Sequence, residues 1–249
     1  MHVLRSLPVR VVKKAILRAM PARWRLPLKY GYHLLGPCER ELRHLDRICR
    51  GRDVAVDVGA NVGFYSYRMS KLFGKVYAFE INDELTGDLA ACSRRNIEVV
   101  HKGLSSREGD AVLHIPVVAG TPLTGWASLA PGNYPAAREH VEKRVRVCTL
   151  DQFNLQRVSF IKIDVEGHEV EVLKGAACTL SRWRPVVLIE ISARNMAEVD
   201  SMLGALNYRK HKLQDLAGKP GSEQNFIFMP KEKDTAASPA PSPAQLAAP

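Results

Sequence analysis

The chain has 249 residues, of which 46% are hydrophobic and 25% are charged, and its formal net charge is +10. These values are close to the averages of globular proteins, so they exclude a fibrous or wholly disordered chain, and the length suits one sizeable α/β domain. No run of about 18 uncharged apolar residues occurs, so the sequence predicts no segment that spans a bilayer.

The excess of positive charge is confined to the start of the chain. Residues 1–52 contain 13 Lys/Arg and 3 Asp/Glu, whereas the remaining residues contain 23 of each sign, and no acid precedes Glu39. We therefore expect a basic, partly helical N-terminal segment over residues 1–51, separate from the body that carries the chemistry.

Within this segment the stretch VRVVKKAILRAM, residues 9–20, has the spacing of an amphipathic helix. Its apolar residues fall on one side, and Arg10, Lys14 and Arg18 fall on the other. Three interpretations stay open. The helix packs on the domain, or residues 1–38 contact the inner face of a membrane or a lipid-linked partner, or the stretch binds nucleic acid or serves as a transit sequence.

The cysteine pattern indicates the redox compartment. The five cysteines are an odd number, are widely spaced and include no CxxC pair, which argues against a disulfide framework and against a zinc site. We therefore expect a reducing, cytoplasmic location. The cysteines are Cys38, Cys49, Cys92, Cys148 and Cys178.

From residue 52 onward, short β-branched runs alternate with longer helical stretches. The runs VAVDV, KVYAFE, IEVVHKGL, FIKIDV and PVVLIEI predict strands. Such alternation predicts an α/β fold in which helices cover both faces of a mostly parallel central sheet. The pair YRKHKLQD and QNFIFMP predicts a C-terminal antiparallel hairpin. The predicted domain covers residues 52–230, and the Ala/Pro/Ser-rich residues 231–249 are expected to be disordered.

The alternation is interrupted between Asp110 and Leu150. This region predicts a strand, an irregular Gly/Pro-rich excursion and a second strand that returns to the central sheet. The excursion carries Trp126 and Tyr134. It is a candidate substrate lid, and the alternative is a surface loop whose aromatic residues pack down.

The first motif, DVGANVGFYS, places a glycine turn between a strand and a helix, where ligands commonly meet the start of a helix. Gly59 and Gly63 allow close approach of the main chain. A phosphate loop is disfavoured, because Phe64 follows the second glycine in place of Lys and Ser/Thr. The spacing also lacks the middle glycine of the NAD fingerprint.

Two acids complete this first site. Asp57 at the end of the first strand would repel a pyrophosphate and attract a cationic amino group, and Glu80 ends the second strand, where an acid typically accepts hydrogen bonds from ribose. A ligand with a ribose, a positive charge and no phosphate is predicted, and S-adenosylmethionine fits. The alternatives are a solvent-facing acid for Glu80 and a helix cap for Asp57.

The second motif, FIKIDVEGHEVEVLKGA, begins as a strand and ends as a helix. Asp164 and Glu166 have the same parity, so a continued strand projects both from one face at its carboxyl end. Together with His168 they are expected to converge on the cofactor edge of the sheet.

These two motifs, with TLDQF before the second and PVVLIEIS after it, resemble the FkbM family of S-adenosylmethionine-dependent methyltransferases over residues 52–229. The resemblance implies a Rossmann-like class I methyltransferase fold. It also implies O-methyl transfer to hydroxyls of sugars, polysaccharides, glycolipids or polyketides. The positions that match cofactor-binding residues are Asp57, Gly59, Asn61, Gly63 and Glu80, and those that match the later motifs are Asp164, Glu166, His168 and Glu190.

Methyl transfer to a hydroxyl requires alignment and removal of a proton. Asp164 is the first candidate for the base or for orienting the acceptor, and His168 is the second, with a structural hydrogen bond as its alternative. Glu190 lies in an apolar run, where an unpartnered acid is costly to bury. We expect it to face the site and bind the acceptor or a cation, or else to pair with a Lys or Arg.

No resident metal is predicted, although Asp164, Glu166 and Glu190 carry the oxygen ligands that Mg²⁺ or Ca²⁺ prefer. The expected partner is a small-molecule, glycan or lipid-linked glycan acceptor. The net charge also suggests a nucleic-acid methyltransferase, but the chain beyond residue 52 is balanced and lacks a (D/N)-P-P-(Y/F/W) motif. The remaining alternative is a non-catalytic S-adenosylmethionine-binding module.

Overall fold

The computed structural model describes residues 17, 19–36, 38–134, 136–137 and 139–231. Most of the predicted amphipathic stretch at residues 9–20 and the Ala/Pro/Ser-rich residues 232–249 lie outside the described part. The strands are, in chain order, β1 (Val54–Val58), β2 (Lys75–Phe79), β3 (Ile97–Val100), β4 (Gly103–Leu104), β5 (Gly109–Val118), β6 (Thr121–Pro122), β7 (Glu139–Cys148), β8 (Val158–Ile163), β9 (Val186–Glu190), β10 (Tyr208–His211) and β11 (Asn225–Pro230).

The helices lie before and between these strands. In the described part of the chain, no helix combines the length and the apolar composition needed to cross a bilayer. The helices are α1 (Ala22–Leu35), α2 (Arg40–Arg43), α3 (Leu45–Ile48), α4 (Phe64–Met69), α5 (Gly87–Ala90), α6 (Glu169–Lys174), α7 (Ala177–Trp183), α8 (Met196–Ala205) and α9 (Leu213–Ala217).

The central sheet has seven strands in the order β10-β11-β9-β8-β1-β2-β3. Strands β1, β2, β3, β8 and β9 are parallel, and β11 runs antiparallel to both β9 and β10. The predicted mostly parallel sheet with a C-terminal antiparallel pair is therefore confirmed. The terminal pair is joined through α9, and β11 is inserted beside β9, so β10 forms the edge.

Each face of this sheet buries its own apolar cluster, because successive strand residues point to opposite sides. Val56 and Ile161 belong to the cluster under α6 to α8, whereas Ala55 and Phe160 belong to the cluster under α3 and α4. The second face also carries polar residues, since Asp57 and Lys162 follow the same alternation and are direct neighbours across β1 and β8. Polar side chains thus enter the core along one face.

A second, smaller sheet has the order β4-β7-β5-β6. Strands β5 and β7 pair antiparallel from Gly109↔Val147 to Val117↔Glu139. The prediction that the second strand of this region returns to the central sheet is therefore wrong. Strand β7 is rich in charged residues, and most of its residues are exposed. A strand with one face in solvent suits an antiparallel sheet better than a parallel sheet that is covered on both faces.

Helix α1 packs against the start of the domain. Its residue Leu26 is fully buried in a cluster with Ala60, Ala78 and Leu89. Tyr30 contacts the ring of Tyr67 edge-on, with the ring centroids 5.1 Å apart. The N-terminal helix therefore covers the turn between β1 and α4.

Candidate active site

The glycine turn between β1 and α4 brings two strand ends unusually close. Gly59 has φ +78° and Gly63 has φ +90°, both in the left-handed region that favours glycine. A Cβ atom on Gly59 would lie 1.9 Å from the carbonyl oxygen of Asp164, so no side chain fits there. The turn of the first motif thus touches the start of the second.

The amide groups of this turn are all used inside the protein. Because no N–H of residues 59–63 is left for a ligand, the turn is not built to bind a phosphate. The bonds run from Gly59 N and Ala60 N to Phe79 O, from Asn61 N to Glu80 Oε2, from Val62 N to Asn61 Oδ1 and from Gly63 N to Ala60 O.

Glu80 lies directly after β2 with its carboxylate fixed by the backbone. One oxygen accepts the N–H of Asn61 at 2.7 Å and the other accepts the N–H of Asn82 at 2.8 Å. Burial raises the pKa of Glu80, and these two hydrogen bonds oppose that rise. Glu80 is 6% exposed and lines the wall of a cleft.

This cleft, called here the Glu80 cleft, has a cavity volume of about 70 Å³. Part of its wall is apolar and comes from both sheets and from the segment after β2. Another part carries Asp164, Glu166 and His168 from the second motif. The apolar residues include Phe79, Leu85, Leu104 and Leu113.

Asp57 lies behind the Glu80 cleft and not in its wall. It is fully buried and accepts a hydrogen bond from Ser66 Oγ at 2.5 Å. Burial raises its pKa, and the charge of Lys162 opposes this effect. The direct contact with a cationic ligand group that the sequence predicts is therefore not available to Asp57, which faces a protein cation instead.

Lys162 is that cation, and it joins the two motifs electrostatically. Its Nζ is 2.7 Å from Asp164 Oδ2 and lies over the ring of Tyr65. Burial alone would lower the pKa of Lys162, but Asp164 and Asp57 more than offset this and raise it. The ammonium therefore stays charged between two carboxylates.

A second cleft lies next to the first and is called here the Glu190 cleft. Its cavity volume is about 550 Å³, and Glu166 lines both clefts. The rings of Trp126 and Tyr134 stack with centroids 5.3 Å apart and 13° between their planes. Tyr134 also donates a hydrogen bond to Glu166 Oε2. The excursion of the second sheet therefore reaches the junction of the two clefts.

Glu190 ends β9 and lines the cleft that bears its name. Burial, and then the nearby charge of Asp164, raise its pKa to about 7. Among the described residues no Lys or Arg forms an ion pair with Glu190. Of the two alternatives stated from the sequence, the one that remains is that Glu190 faces the site. Its carboxyl group can change protonation near neutral pH.

His168 directly precedes α6 and lines the Glu80 cleft. Its Nε2 is 3.0 Å from Ser105 Oγ, and burial lowers the pKa of its ring. The structural hydrogen bond that the sequence left as an alternative is present, and the ring also reaches the cleft.

Comparison with known proteins agrees with the two motifs. The family model described as the methyltransferase FkbM domain matches residues 57–210, more than half of the chain. The chain belongs to this family. The resemblance stated from the sequence is therefore confirmed, and methyltransferase function follows at the level of the family.

Two proteins illustrate the relationship of this FkbM-family methyltransferase. Hexuronic acid methyltransferase AglP of Haloferax volcanii is 30% identical over 190 residues, which cover 73% of this chain and 72% of AglP. Methyltransferase FkbM from Methylobacillus flagellatus superposes with a TM-score of 0.51 at 16% identity. That match covers 88% of this chain and 59% of the solved one, and it shows the fold, confirming the predicted Rossmann-like architecture.

In this family member two of the three candidate metal ligands are engaged by other side chains, and the third lies in another cleft. Asp164 pairs with Lys162, Glu166 accepts from Tyr134, and Glu190 lines a different cleft from Asp164. Within the described ranges, no group of three or more His, Cys, Asp or Glu side chains is arranged to hold a metal ion.

Sequence reasoning missed Lys162 and the hydrogen bond between Tyr134 and Glu166. Lys162 had a readable signal, since a lysine in the otherwise apolar strand VSFIKI must find buried acids. The hydrogen bond of Tyr134 to Glu166 had none, because 32 residues separate the partners.

Proposed function

We propose that this chain is an S-adenosylmethionine-dependent O-methyltransferase. Its acceptor is a hydroxyl of a sugar, glycolipid, polysaccharide or related metabolite. The observation that carries the proposal is the glycine turn, in which every backbone N–H donates a hydrogen bond to another group of the protein. Beside this turn, Glu80 lines the adjoining cleft with a carboxylate that two backbone amides hold in place. The five cysteines are free thiols, which suits the reducing cytoplasm as the place of action.

The residues of the Glu80 cleft fit S-adenosylmethionine. Glu80 has remaining lone pairs to accept hydrogen bonds from ribose hydroxyls, and the leucines nearby offer an apolar surface for the adenine ring. Asp164 supplies negative charge for the cationic end of the molecule. Asp57 adds to this negative charge, because the positive charge of Lys162 is shared between Asp57 and Asp164.

The Glu190 cleft is suited to a polyhydroxylated acceptor. Trp126 is half exposed beside the cleft and offers an aromatic face to a sugar ring, whereas carboxylates and Arg194 offer hydrogen-bond partners to hydroxyls. AglP, a methyltransferase of hexuronic acid, gives the same substrate class independent support.

When bound, S-adenosylmethionine supplies an electrophilic methyl group to an in-line displacement. Glu190 is the candidate base, since a pKa of about 7 lets it accept the acceptor proton near neutral pH. Asp164, held beside Lys162, is the candidate for orienting the acceptor. Glu166 is fixed by Tyr134 at the junction of the clefts and helps to enclose the reacting groups.

Calorimetry with S-adenosylmethionine, followed by transfer of labelled methyl to fractionated glycans and lipids, tests the proposal. We expect binding that Glu80→Ala weakens by about 100-fold, because a buried charged acceptor contributes roughly 2–3 kcal/mol. Glu98→Ala is the matched control, since Glu98 is half exposed on the neighbouring strand β3. Its binding should equal that of the wild type.

Two results would contradict the proposal in different ways. Folded protein that does not bind S-adenosylmethionine would remove the assignment of the Glu80 cleft. Binding without methyl transfer to any fraction would instead support the non-catalytic module.

A further inference from the structure

Helix α1 presents an apolar stripe to solvent. Its residues are spaced by four, four and three positions, so they lie on one face of the helix. The opposite face is buried through Leu26 and Tyr30. The stripe, called here the α1 stripe, consists of Trp24 (55% exposed), Leu28 (47%), Tyr32 (45%) and Leu35 (82%).

This stripe gathers half of the large hydrophobic residues that are exposed in the described part of the chain. Trp126 lines the Glu190 cleft, and the other three are valines on the second sheet, Val112, Val118 and Val141. A contiguous apolar surface on a helix, unlike scattered exposed residues, indicates a surface that binds a partner.

The charge of the chain segment that contains the stripe indicates which partner. Residues 1–38 contain eight Lys/Arg and no Asp/Glu, so this segment alone carries +8 of the net charge of +10. Arg23 and Arg25 immediately flank Trp24 in the same helix. The partner must therefore accept an apolar, aromatic stripe and attract a dense positive charge at the same time.

We propose that the α1 stripe docks this protein on the surface of a bilayer that contains anionic lipids. Trp and Tyr favour the level of the lipid headgroups, the leucines reach the acyl boundary, and the cations bind the anionic headgroups. Nucleic acid would satisfy the charge but not the apolar stripe. At 14 residues α1 lies in the plane of such a surface.

The position of α1 connects this surface with the site. Leu26 on its buried face packs in one cluster with Ala60 of the glycine turn and with Leu89 of α5. Lys29 ties the helix to α5 through an ion pair with Asp88 at 2.5 Å. The bilayer would therefore lie one helix away from the Glu80 cleft. The inference goes beyond the proposed function and does not depend on it.

Co-sedimentation of the full chain with vesicles tests this docking. We expect binding to vesicles of phosphatidylcholine with phosphatidylglycerol, at least tenfold weaker binding to phosphatidylcholine alone, and weakening at high salt. The variant Trp24→Ser/Leu28→Ser/Leu35→Ser should lose at least tenfold in affinity for the anionic vesicles. The control Val112→Ser/Val118→Ser/Val141→Ser removes three exposed apolar residues elsewhere and should bind like the wild type.

A fluorescence measurement separates docking by the stripe from docking by charge alone. The fluorescence of Trp24 is the difference in emission between the wild type and Trp24→Phe. We expect brominated lipid to quench this emission, because Trp24 would contact the acyl chains. Binding that survives the triple substitution but disappears when residues 1–16 are deleted would overturn the proposal. Unquenched Trp24 emission would also overturn the proposal. That result is expected if residues 1–16 or a second copy of the chain cover the stripe.

Discussion

The Glu80 cleft and the Glu190 cleft share Glu166, yet they are built differently. The first is shaped by main chain, with two glycines at positive φ, a carbonyl 1.9 Å from a missing Cβ and a carboxylate held by two amides. The second is shaped by side chains from distant segments, with a stacked aromatic pair and an acid whose pKa is raised to about 7.

In the proposed function the Glu80 cleft binds S-adenosylmethionine and the Glu190 cleft selects the acceptor, so the difference in construction would separate these two roles. A main-chain cleft tolerates few substitutions, because steric exclusion acts on Cβ atoms. A side-chain cleft changes with each residue of the excursion. Lys162 lies behind both, since it pairs with Asp164 in the first and lowers the pKa of Glu190 in the second.

Substitution of Lys162 should have the largest effect, because it removes the cation common to both clefts. We expect Lys162→Met to lower the free energy of unfolding by about 3–5 kcal/mol, as is typical when one partner of a buried ion pair is lost. Asp57 and Asp164 would be left as uncompensated acids, and the pKa of Glu190 should rise further. Urea unfolding measures the loss.

A matched substitution and a double variant sharpen this test. Lys174→Met removes an exposed lysine that pairs with Glu171 and Glu198, and its stability should not change measurably. Adding Asp57→Asn to Lys162→Met should recover part of the loss, because it removes one unpaired acid. Equal destabilisation by both lysine substitutions would show that burial of Lys162 has no special role.

Substitution of Gly59 should affect the Glu80 cleft alone. In Gly59→Ala the new Cβ meets the Asp164 carbonyl, and the backbone must leave φ +78° or accept strain. We expect the Kd for S-adenosylmethionine to rise by about 100-fold, since displacing the strand ends costs on the order of 3 kcal/mol. Calorimetry and thermal melting measure the change.

Gly87→Ala is the control for this prediction. Gly87 begins α5, and a Cβ there meets nothing within 4 Å. Its affinity and melting temperature should match those of the wild type. A Gly59→Ala protein with unchanged affinity would mean that the close contact between β1 and β8 does not shape the cleft.

The same contrast explains what the sequence could predict. The glycine turn could be predicted from Gly59 and Gly63 because its main-chain geometry, with positive φ at both positions, restricts the residue types there. The assignment of Glu80 to the ribose of a bound ligand stays a prediction. The pairing of β7 with β5 was missed because the sequence pattern of a strand predicts that it is a strand but does not predict which strand it pairs with. The position of Asp57 behind the cleft depends on Lys162, which lies 105 residues away in sequence and is adjacent only after folding.

Substitution of Glu190 should affect the Glu190 cleft alone, and its signature is the pH dependence. If Glu190 accepts the acceptor proton, wild-type turnover should rise as the pH passes through about 7, where this carboxyl group ionises. Glu190→Gln should abolish that rise and lower turnover by roughly 100-fold or more at high pH. Binding of S-adenosylmethionine should stay unchanged, because Glu190 does not line the Glu80 cleft.

Stability gives a smaller and independent check on the same residue. The folded-state pKa of Glu190 lies above its ordinary value of 4.5, so the folded protein retains this proton longer than the unfolded chain does. The contribution of Glu190 is then fully favourable below pH 4.5 and is lost as the pH rises through about 7. Glu190→Gln should therefore unfold at higher urea than the wild type at pH 8, by on the order of 1 kcal/mol after solvent screening. At pH 4.5 the two proteins should have the same stability. If the stability difference between Glu190→Gln and the wild type is the same at both pH values, the ionising group is not Glu190.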